Sequence, residues 1–227
     1  MQPKKKTLRP IVTGSSVLGI KYKDGVILAS DTLGSYGSLA RFRDIRRIVP
    51  ITKHTVIGGT GEFSDFQEIT KILRQKIIEN QELVESGKEE DELLPSEIHS
   101  YLSRVLYGRR NKFNPLWNDV VVAGFEKGKV HMGTVDLWGS YFEDDIIATG
   151  YGTYFALPLM RKAYKKDMER DKALEVLRDC LTVLFYRDCR TINRYVFAEI
   201  TKEGVNITEP VEIETKWEIA DWQEGKL

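Results

Sequence analysis

The feature that most narrows the possible folds of this chain is the order of its periodic segments: strands, two helices, strands, two helices, strands. From Ile11 to Ser30 the chain alternates and then runs apolar through Val17, Ile20, Tyr22, Val26, Ile27 and Leu28, broken only by Lys23-Asp24-Gly25. An Asp-Gly pair between β-rich runs predicts a hairpin, because both residues accept positive φ. A second pair, Arg46 to Ile51 and Thr55 to Gly59, turns at Thr52-Lys53-His54. Phe66, Ile69, Leu73 and Ile77 then recur at helical spacing, and a second stripe, Ile98, Tyr101, Leu102 and Val105, follows Pro95-Ser96, where the serine is expected to cap. Strands Val120 to Phe125 and Val130 to Val135 flank Glu126-Lys127-Gly128-Lys129, and two more helical stripes cover Phe155 to Ala163 and Ala173 to Leu184. Tyr195 to Ile200 and Val205 to Ile207 close the pattern around Lys202-Glu203-Gly204. Segregated runs of this kind predict an α+β fold, with two antiparallel sheets face to face and helices outside them, a four-layer αββα sandwich.

With 227 residues and 41% hydrophobic side chains, the chain can bury one large core. We expect a tail over 1–9, a single domain over 10–213 and a C-terminal tail over 214–227. Thirty-four basic and 34 acidic side chains cancel, which argues against nucleic acid as the main partner. Cys180 and Cys189 stand without metal-ligand spacing, so a reducing compartment fits. No apolar run is long enough to span a bilayer, and MQPKKKTLRP lacks the apolar core of a signal peptide. The expected location is cytoplasmic and nuclear, with no membrane partner. Lys4, Lys5, Lys6 and Arg9 read as a solvated end.

Chemistry is suggested at Gly14-Ser15-Ser16-Val17. Cleavage between Gly14 and Ser15 would free an α-amine able to act as base for the Ser15 hydroxyl. The run Gly58-Gly59-Thr60-Gly61 lacks the Gly-Lys-Ser/Thr of a phosphate cradle, and no cofactor is expected. His54, His99 and His131 fall in a turn, a helix and a strand with no shared spacing and are expected to be surface or filler residues, with no metal bound. Cys180 shares a helical face with Leu177 and Leu184 and should be a buried small apolar residue, whereas Cys189 follows Asp188 beside the candidate pocket. Trp217 and Trp222, beyond the last strand, need burial somewhere and are interface candidates.

Six blocks in order carry a resemblance: Pro10-Ile11-Val12-Thr13-Gly14; Asp31 through Phe42; Asn114-Pro115-Leu116-Trp117-Asn118; Ala148-Thr149-Gly150-Tyr151-Gly152; Tyr186-Arg187-Asp188; and Glu214 through Ala220. On these the chain resembles the β subunits of the proteasome core particle, of the N-terminal nucleophile hydrolase superfamily, and is most similar to members at the seventh place of the β ring. The resemblance implies the positions of a degenerate pocket. Ser15 stands where active members carry a threonine, Asp31 where they carry an acidic residue, and Gly61 where a backbone amide serves the oxyanion hole. Asp188 and Thr191 match the late aspartate and hydroxyl residue. Arg47, sixteen residues after Asp31, stands where the family has its pocket lysine. A guanidinium cannot accept or pass a proton at neutral pH, so Arg47 is expected to be held by Asp31 or a neighbour. Trp117 falls near the place of a small hydroxyl residue. Members at the seventh place also keep several residues ahead of the glycine, starting at a threonine in the position of Thr7, which would leave Ser15 with an amide in place of an amine.

The resemblance therefore implies a non-catalytic β subunit. Its partners would be the other α and β subunits in stacked seven-membered rings, with a tail reaching the opposite β ring. The alternatives are an active N-terminal-serine peptidase, self-processed between Gly14 and Ser15, and a stand-alone binding module on the same sandwich.

Overall fold

The structure, a computed structural model, describes residues 9–87 and 93–216. Within them thirteen strands and five helices follow in the order β1 (Val12–Gly14), β2 (Val17–Tyr22), β3 (Gly25–Asp31), β4 (Gly34–Tyr36), β5 (Leu39–Phe42), β6 (Ile48–Thr52), β7 (Thr55–Glu62), α1 (Phe63–Glu85), α2 (Pro95–Asn111), β8 (Asn118–Glu126), β9 (Lys129–Val135), β10 (Tyr141–Glu143), β11 (Ile146–Ala148), α3 (Gly152–Phe155), α4 (Leu157–Ala163), α5 (Arg170–Arg187), β12 (Tyr195–Thr201) and β13 (Gly204–Ile207).

One sheet has eight strands in the order β10-β9-β8-β7-β1-β4-β5, with β6 paired beside β7; the other has five, β11-β2-β3-β12-β13. Every named ladder is antiparallel. Alternation along the strands divides their side chains between two interfaces. Val26 and Leu28 of β3 and Val121 and Ala123 of β8 meet between the sheets, together with Val17, Val56 and Met132. Ile27 and Ala29 of β3 face outward onto Leu177, Leu181 and Leu184 of α5. Val120 and Val122 of β8 face outward onto Phe66, Ile69 and Leu73 of α1 and Ile98, Leu102 and Leu106 of α2. Strands buried on both faces explain why the sequence shows apolar runs where one-sided sheets would show strict alternation. The αββα layering is as expected.

The expected strands are present, and the sequence reading missed several short ones. β4, β5, β10 and β11 have three or four residues each, too few for periodicity to register. The opening run is two strands in different sheets, β1 in the larger and β2 in the smaller. Two local expectations are corrected. The turn before Gly25 works without positive φ there. Gly25 is needed because a Cβ would lie 2.4 Å from the Ile200 carbonyl oxygen. Ser96 is not the cap of α2, which starts with Leu94 as N-cap and Pro95 inside its first turn. The Ser96 amide and hydroxyl instead bond the Glu126 carboxylate at 3.0 and 2.8 Å, tying α2 to β8.

The chain changes sheets at Ser15-Ser16, between β1 and β2, and again after Asp31, between β3 and β4. Both crossings lie at one end of the sandwich. A third segment joins them there: Thr32 donates its amide to the Arg194 carbonyl, in the connection from α5 to β12. That end is where the candidate residues gather.

Candidate active site

Arg47 is the centre of the cluster and is 2% exposed. Its Nη2 contacts Asp31 Oδ1, both terminal nitrogens donate to the Ser16 carbonyl at 3.1 Å, and Nη1 donates to the Gly59 carbonyl at 3.2 Å. Nε is buried with no partner among the described residues. Asp31, at the end of β3, is 3% exposed and accepts the Ile192 amide on its other oxygen at 3.3 Å. Burial pushes the Asp31 carboxyl up from its ordinary range. The Arg47 charge and hydrogen bonds from Arg47, Thr191 and Ile192 pull it the other way. A guanidinium keeps its proton, and only an ionised Asp31 would balance that buried charge, so we read the pair as ionised. The sequence expectation that Asp31 takes up Arg47 therefore agrees with the geometry.

Gly14 has a part that the sequence did not reveal. A Cβ there would lie 2.2 Å from Arg47 Cδ and 2.7 Å from Nε, so the bare backbone of Gly14 is what admits the arginine stem. The motif glycine thus has a packing reason of its own, whatever happens to the bond after it.

Ser15 turns away from this pair. Its hydroxyl donates to Asp188 Oδ2, while Asp188 Oδ1 accepts the Arg190 amide at 2.9 Å. Asp188 ends α5 as its C-cap and is 5% exposed. The neighbouring Ser16 hydroxyl accepts the Gly152 amide at 2.8 Å, which fixes the loop before α3. The Ile192 amide, next to Thr191, joins the α5–β12 connection to the Arg47 pair through Asp31. The six expected residues thus surround one end of the sandwich in two sets, Ser15 with Asp188, and Arg47 with Asp31 and Thr191, with Gly61 on the wall beside them.

Gly61 lies opposite Gly14 in the β1–β7 ladder and has φ +89°. A Cβ on Gly61 would meet the Trp117 carbonyl oxygen at 2.0 Å, so both conformation and space require glycine. That carbonyl accepts the Glu62 amide at 2.9 Å, and the Trp117 amide donates to Asp65 at 2.9 Å. Trp117 therefore belongs to the wall of a cleft of about 270 Å³, with Thr13, Ser15, Gly61, Asn118 and Arg190 also lining it. Gly58 and Gly59 stay clear of the cleft; they give room to Val17 and Phe66, which a Cβ would meet at 2.8 and 2.2 Å.

The sequence reading also missed Glu62. Its side chain accepts the Ile11 amide and, at 3.2 Å, the Val12 amide, while its other oxygen takes the Ser64 hydroxyl at 2.9 Å at the start of α1. One carboxylate thus caps a helix and grips the segment ahead of Ser15. That segment continues as β1, with Thr13 facing Ser35 of β4 on one side and Glu62 of β7 on the other. A glutamate at a strand-to-helix junction is an ordinary N-terminal signal, but its second task depends on contacts 50 and 51 residues apart and leaves no mark in sequence.

A model of the family described as "Proteasome subunit" matches residues 11–200. The chain belongs to the proteasome subunit family. It is 45% identical over 217 residues to a proteasome subunit beta type-4 of Arabidopsis thaliana, covering 96% of this chain and 87% of that one. It is 45% identical over 220 residues to the beta type-4 subunit of Xenopus laevis, covering 96% and 89%. Against the proteasome subunit beta type-7 of Saccharomyces cerevisiae the identity is 39% over 226 residues, covering 96% and 85%. The chain is a core-particle β subunit, part of a threonine-type protease complex, with the N-terminal nucleophile hydrolase fold.

Among the described residues, the remaining candidates do not line the proteasome-subunit cleft. Cys180 is buried and its thiol is pushed up to about 12 by burial, as a small apolar residue should be. Cys189 is an exposed thiol. Trp217 and Trp222 lie outside the described residues, as do Lys4 to Lys6 and Thr7. The histidine expectation needs correction. His54 stays in its turn, but His99 and His131 are both buried and meet, with Nδ1 of one 3.1 Å from Nε2 of the other. Their partnership depends on α2 lying across β9, which sequence spacing cannot register.

Proposed function

We propose that this subunit is non-catalytic and serves the core particle as a structural and assembly member. The observation that carries the proposal is Arg47, which stands where the resemblance places the pocket lysine: its terminal nitrogens are committed to Asp31, Ser16 and Gly59 and hold no transferable proton at neutral pH. In the uncleaved chain Val12–Gly14 form a strand held between β4 and β7, so cleavage before Ser15 would have to release a paired strand. Without that cleavage the Ser15 nitrogen is an amide, whose delocalised lone pair cannot take the hydroxyl proton as a free α-amine would.

Assembly is supported by apolar side chains left at the surface. Tyr36, Leu39 and Phe42 on the β4–β5 hairpin, Phe142 on the edge strand β10, Trp138 in the loop before it and Phe113 after α2 are exposed. Patches of this kind mark protein contacts. On this proposal the subunit takes one place in a seven-membered β ring, touches β neighbours and the α ring, and walls the chamber where other subunits cut peptides. Its C-terminal tail would reach the opposite β ring. Residues leading to that tail are tied down: Val211 bridges Tyr195, Ile213 exchanges bonds with Asn193 at 2.8 and 2.9 Å, and Lys216 does so with the Tyr186 hydroxyl at 3.0 and 2.6 Å. Two cysteines without a disulfide support a place in the cytoplasm and nucleus.

One contact favours the alternative of an active N-terminal serine, namely that of the Ser15 hydroxyl with Asp188. The deciding experiment is the N-terminal sequence and intact mass of this chain isolated from its native complex. A start ahead of Gly14 supports the non-catalytic reading. A start at Ser15 would overturn it.

A further inference from the structure

We propose that His99, His131 and Glu143 form a site for a divalent transition metal of the zinc class, at the joint of α2, β9 and β10. One donor atom from each of the three residues lies within 4.8 Å of the other two. The contacting imidazole nitrogens, His99 Nδ1 and His131 Nε2, are 3.1 Å apart. Two nitrogens bound to one tetrahedral zinc at about 2.0–2.1 Å would stand roughly 3.3 Å apart, so the separation already suits a ligand pair, and binding requires both rings to turn from facing each other toward a shared point.

The surroundings hold the donors in place in the manner of an outer coordination shell. His99 Nε2 lies 3.2 Å from the Thr134 carbonyl, which can only accept, so that nitrogen carries the proton and Nδ1 presents its lone pair to His131. Tyr141 stacks on the His99 ring at 3.9 Å between centroids, 23° from parallel, and its hydroxyl donates to Glu143 Oε1 at 3.0 Å. That leaves Glu143 Oε2 facing His131, 3.9 Å from Nδ1. Space for the His99 ring depends on Gly133, where a Cβ would lie 1.9 Å from the ring carbon Cε1.

In the metal-free protein, His131 Nε2–H donates to His99 Nδ1. Binding would transfer that proton to His131 Nδ1, on the Glu143 side, so that both facing nitrogens present lone pairs. The half-exposed Glu143 side chain then turns its carboxylate to the ion as the third ligand, and solvent supplies the fourth. Two imidazoles and one carboxylate suit zinc, nickel or copper and do not suit magnesium or calcium, which take oxygen ligands. The ion would clamp β10, the edge strand of the larger sheet, to α2. The site shares no residue with the Ser15 cleft and does not depend on whether that cleft is silent.

The test uses the full chain, stripped with chelator, desalted and titrated with Zn²⁺ by calorimetry and with Co²⁺ by visible absorption. The expected result is one ion per chain at micromolar affinity or tighter, with the intense ligand-field bands of tetrahedral cobalt. Losing an outer-shell partner typically costs 10- to 100-fold in affinity, so loss of a ligand in His131→Gln should cost more than about 100-fold. Glu143→Gln alters a surface side chain that folding can spare, and should weaken binding at least about tenfold. His54→Gln, outside the joint, should leave binding unchanged. No cobalt spectrum with the parent chain would overturn the proposal, and so would zinc affinity unchanged by Glu143→Gln. If His131→Gln fails to fold by circular dichroism, Glu143→Gln alone decides.

Discussion

Asp31→Asn tests whether the Arg47 cluster is a structural ion pair. The substitution keeps size and an acceptor oxygen but removes the negative charge facing a guanidinium that is 2% exposed. Ser16 and Gly59 would still accept hydrogen bonds from Arg47, yet carbonyl dipoles do not neutralise a buried cation. Breaking a buried pair by removing one partner costs about 3–5 kcal/mol. For a domain of this size each kcal/mol lowers Tm by about 2–4 °C, so a drop of about 6–20 °C is expected in thermal unfolding followed by circular dichroism. The companion variant separates charge from packing. Adding Arg47→Met to Asp31→Asn removes the stranded charge, and the substituted amide side chain keeps its contacts to Thr191 and Ile192. The double variant should regain more than half of the loss. An Asp31→Asn protein melting within about 2 °C of the parent, or a double variant melting below the single one, would refute the reasoning.

Other expectations follow from the same contacts. Gly14→Ala places a Cβ 2.2 Å from Arg47 Cδ and should destabilise by about 1–3 kcal/mol in denaturant titration, with the effect largely gone in an Arg47→Ala background. Glu62→Gln loses the charge that holds the Ile11 and Val12 amides, and hydrogen exchange at those amides should quicken while that of β8 does not. Glu199 accepts both Arg170 Nε and Nη2, at 2.6 and 2.9 Å, and Arg170 followed by other causes holds its carboxyl below the ordinary value. A depressed folded pKa means stability present above the unfolded value and lost as pH falls through the folded one, so acid unfolding should start at higher pH in Glu199→Gln. Because Arg170 is half-exposed and screened, the variant should cost only about 1 kcal/mol at neutral pH. Deleting 217–227 should impair joining of half-particles in a native gel more than it impairs folding of the subunit; normal joining would remove the tail proposal.

The layers of the fold were legible because each rests on local pattern. The stripe Phe66, Ile69, Leu73 and the apolar run from Val26 to Ala29 need only the periods of helix and strand to be read. The short strands β4, β5, β10 and β11 were not legible, since their pairing is decided by neighbours that arrive from elsewhere in the chain. In the site, Ser15, Asp31 and Arg47 were named from the resemblance, and the contact of Asp31 with Arg47 was foreseeable because a buried arginine needs an acceptor. Gly14 as the space for Arg47, Glu62 as the grip on Ile11, and the meeting of His99 with His131 were not readable. Each is a contact between segments 30 or more residues apart, where nothing local distinguishes one outcome from another.

β1 contributes only three residues, yet in the path of the larger sheet it is the link between β7 and the β4–β5 hairpin. A cut after Gly14 would therefore do more than expose an amine. It would turn an internal strand into a separate peptide held by a few ladder bonds and one carboxylate, and its departure would open two unpaired sheet margins in the middle of the molecule. A cut there would expose margins of the kind that recruit foreign strands. On the proposal that the bond stays intact, its retention would guard the subunit against aggregation as well as keep the serine without an amine, and a variant selected for cleavage there should first be checked for aggregation.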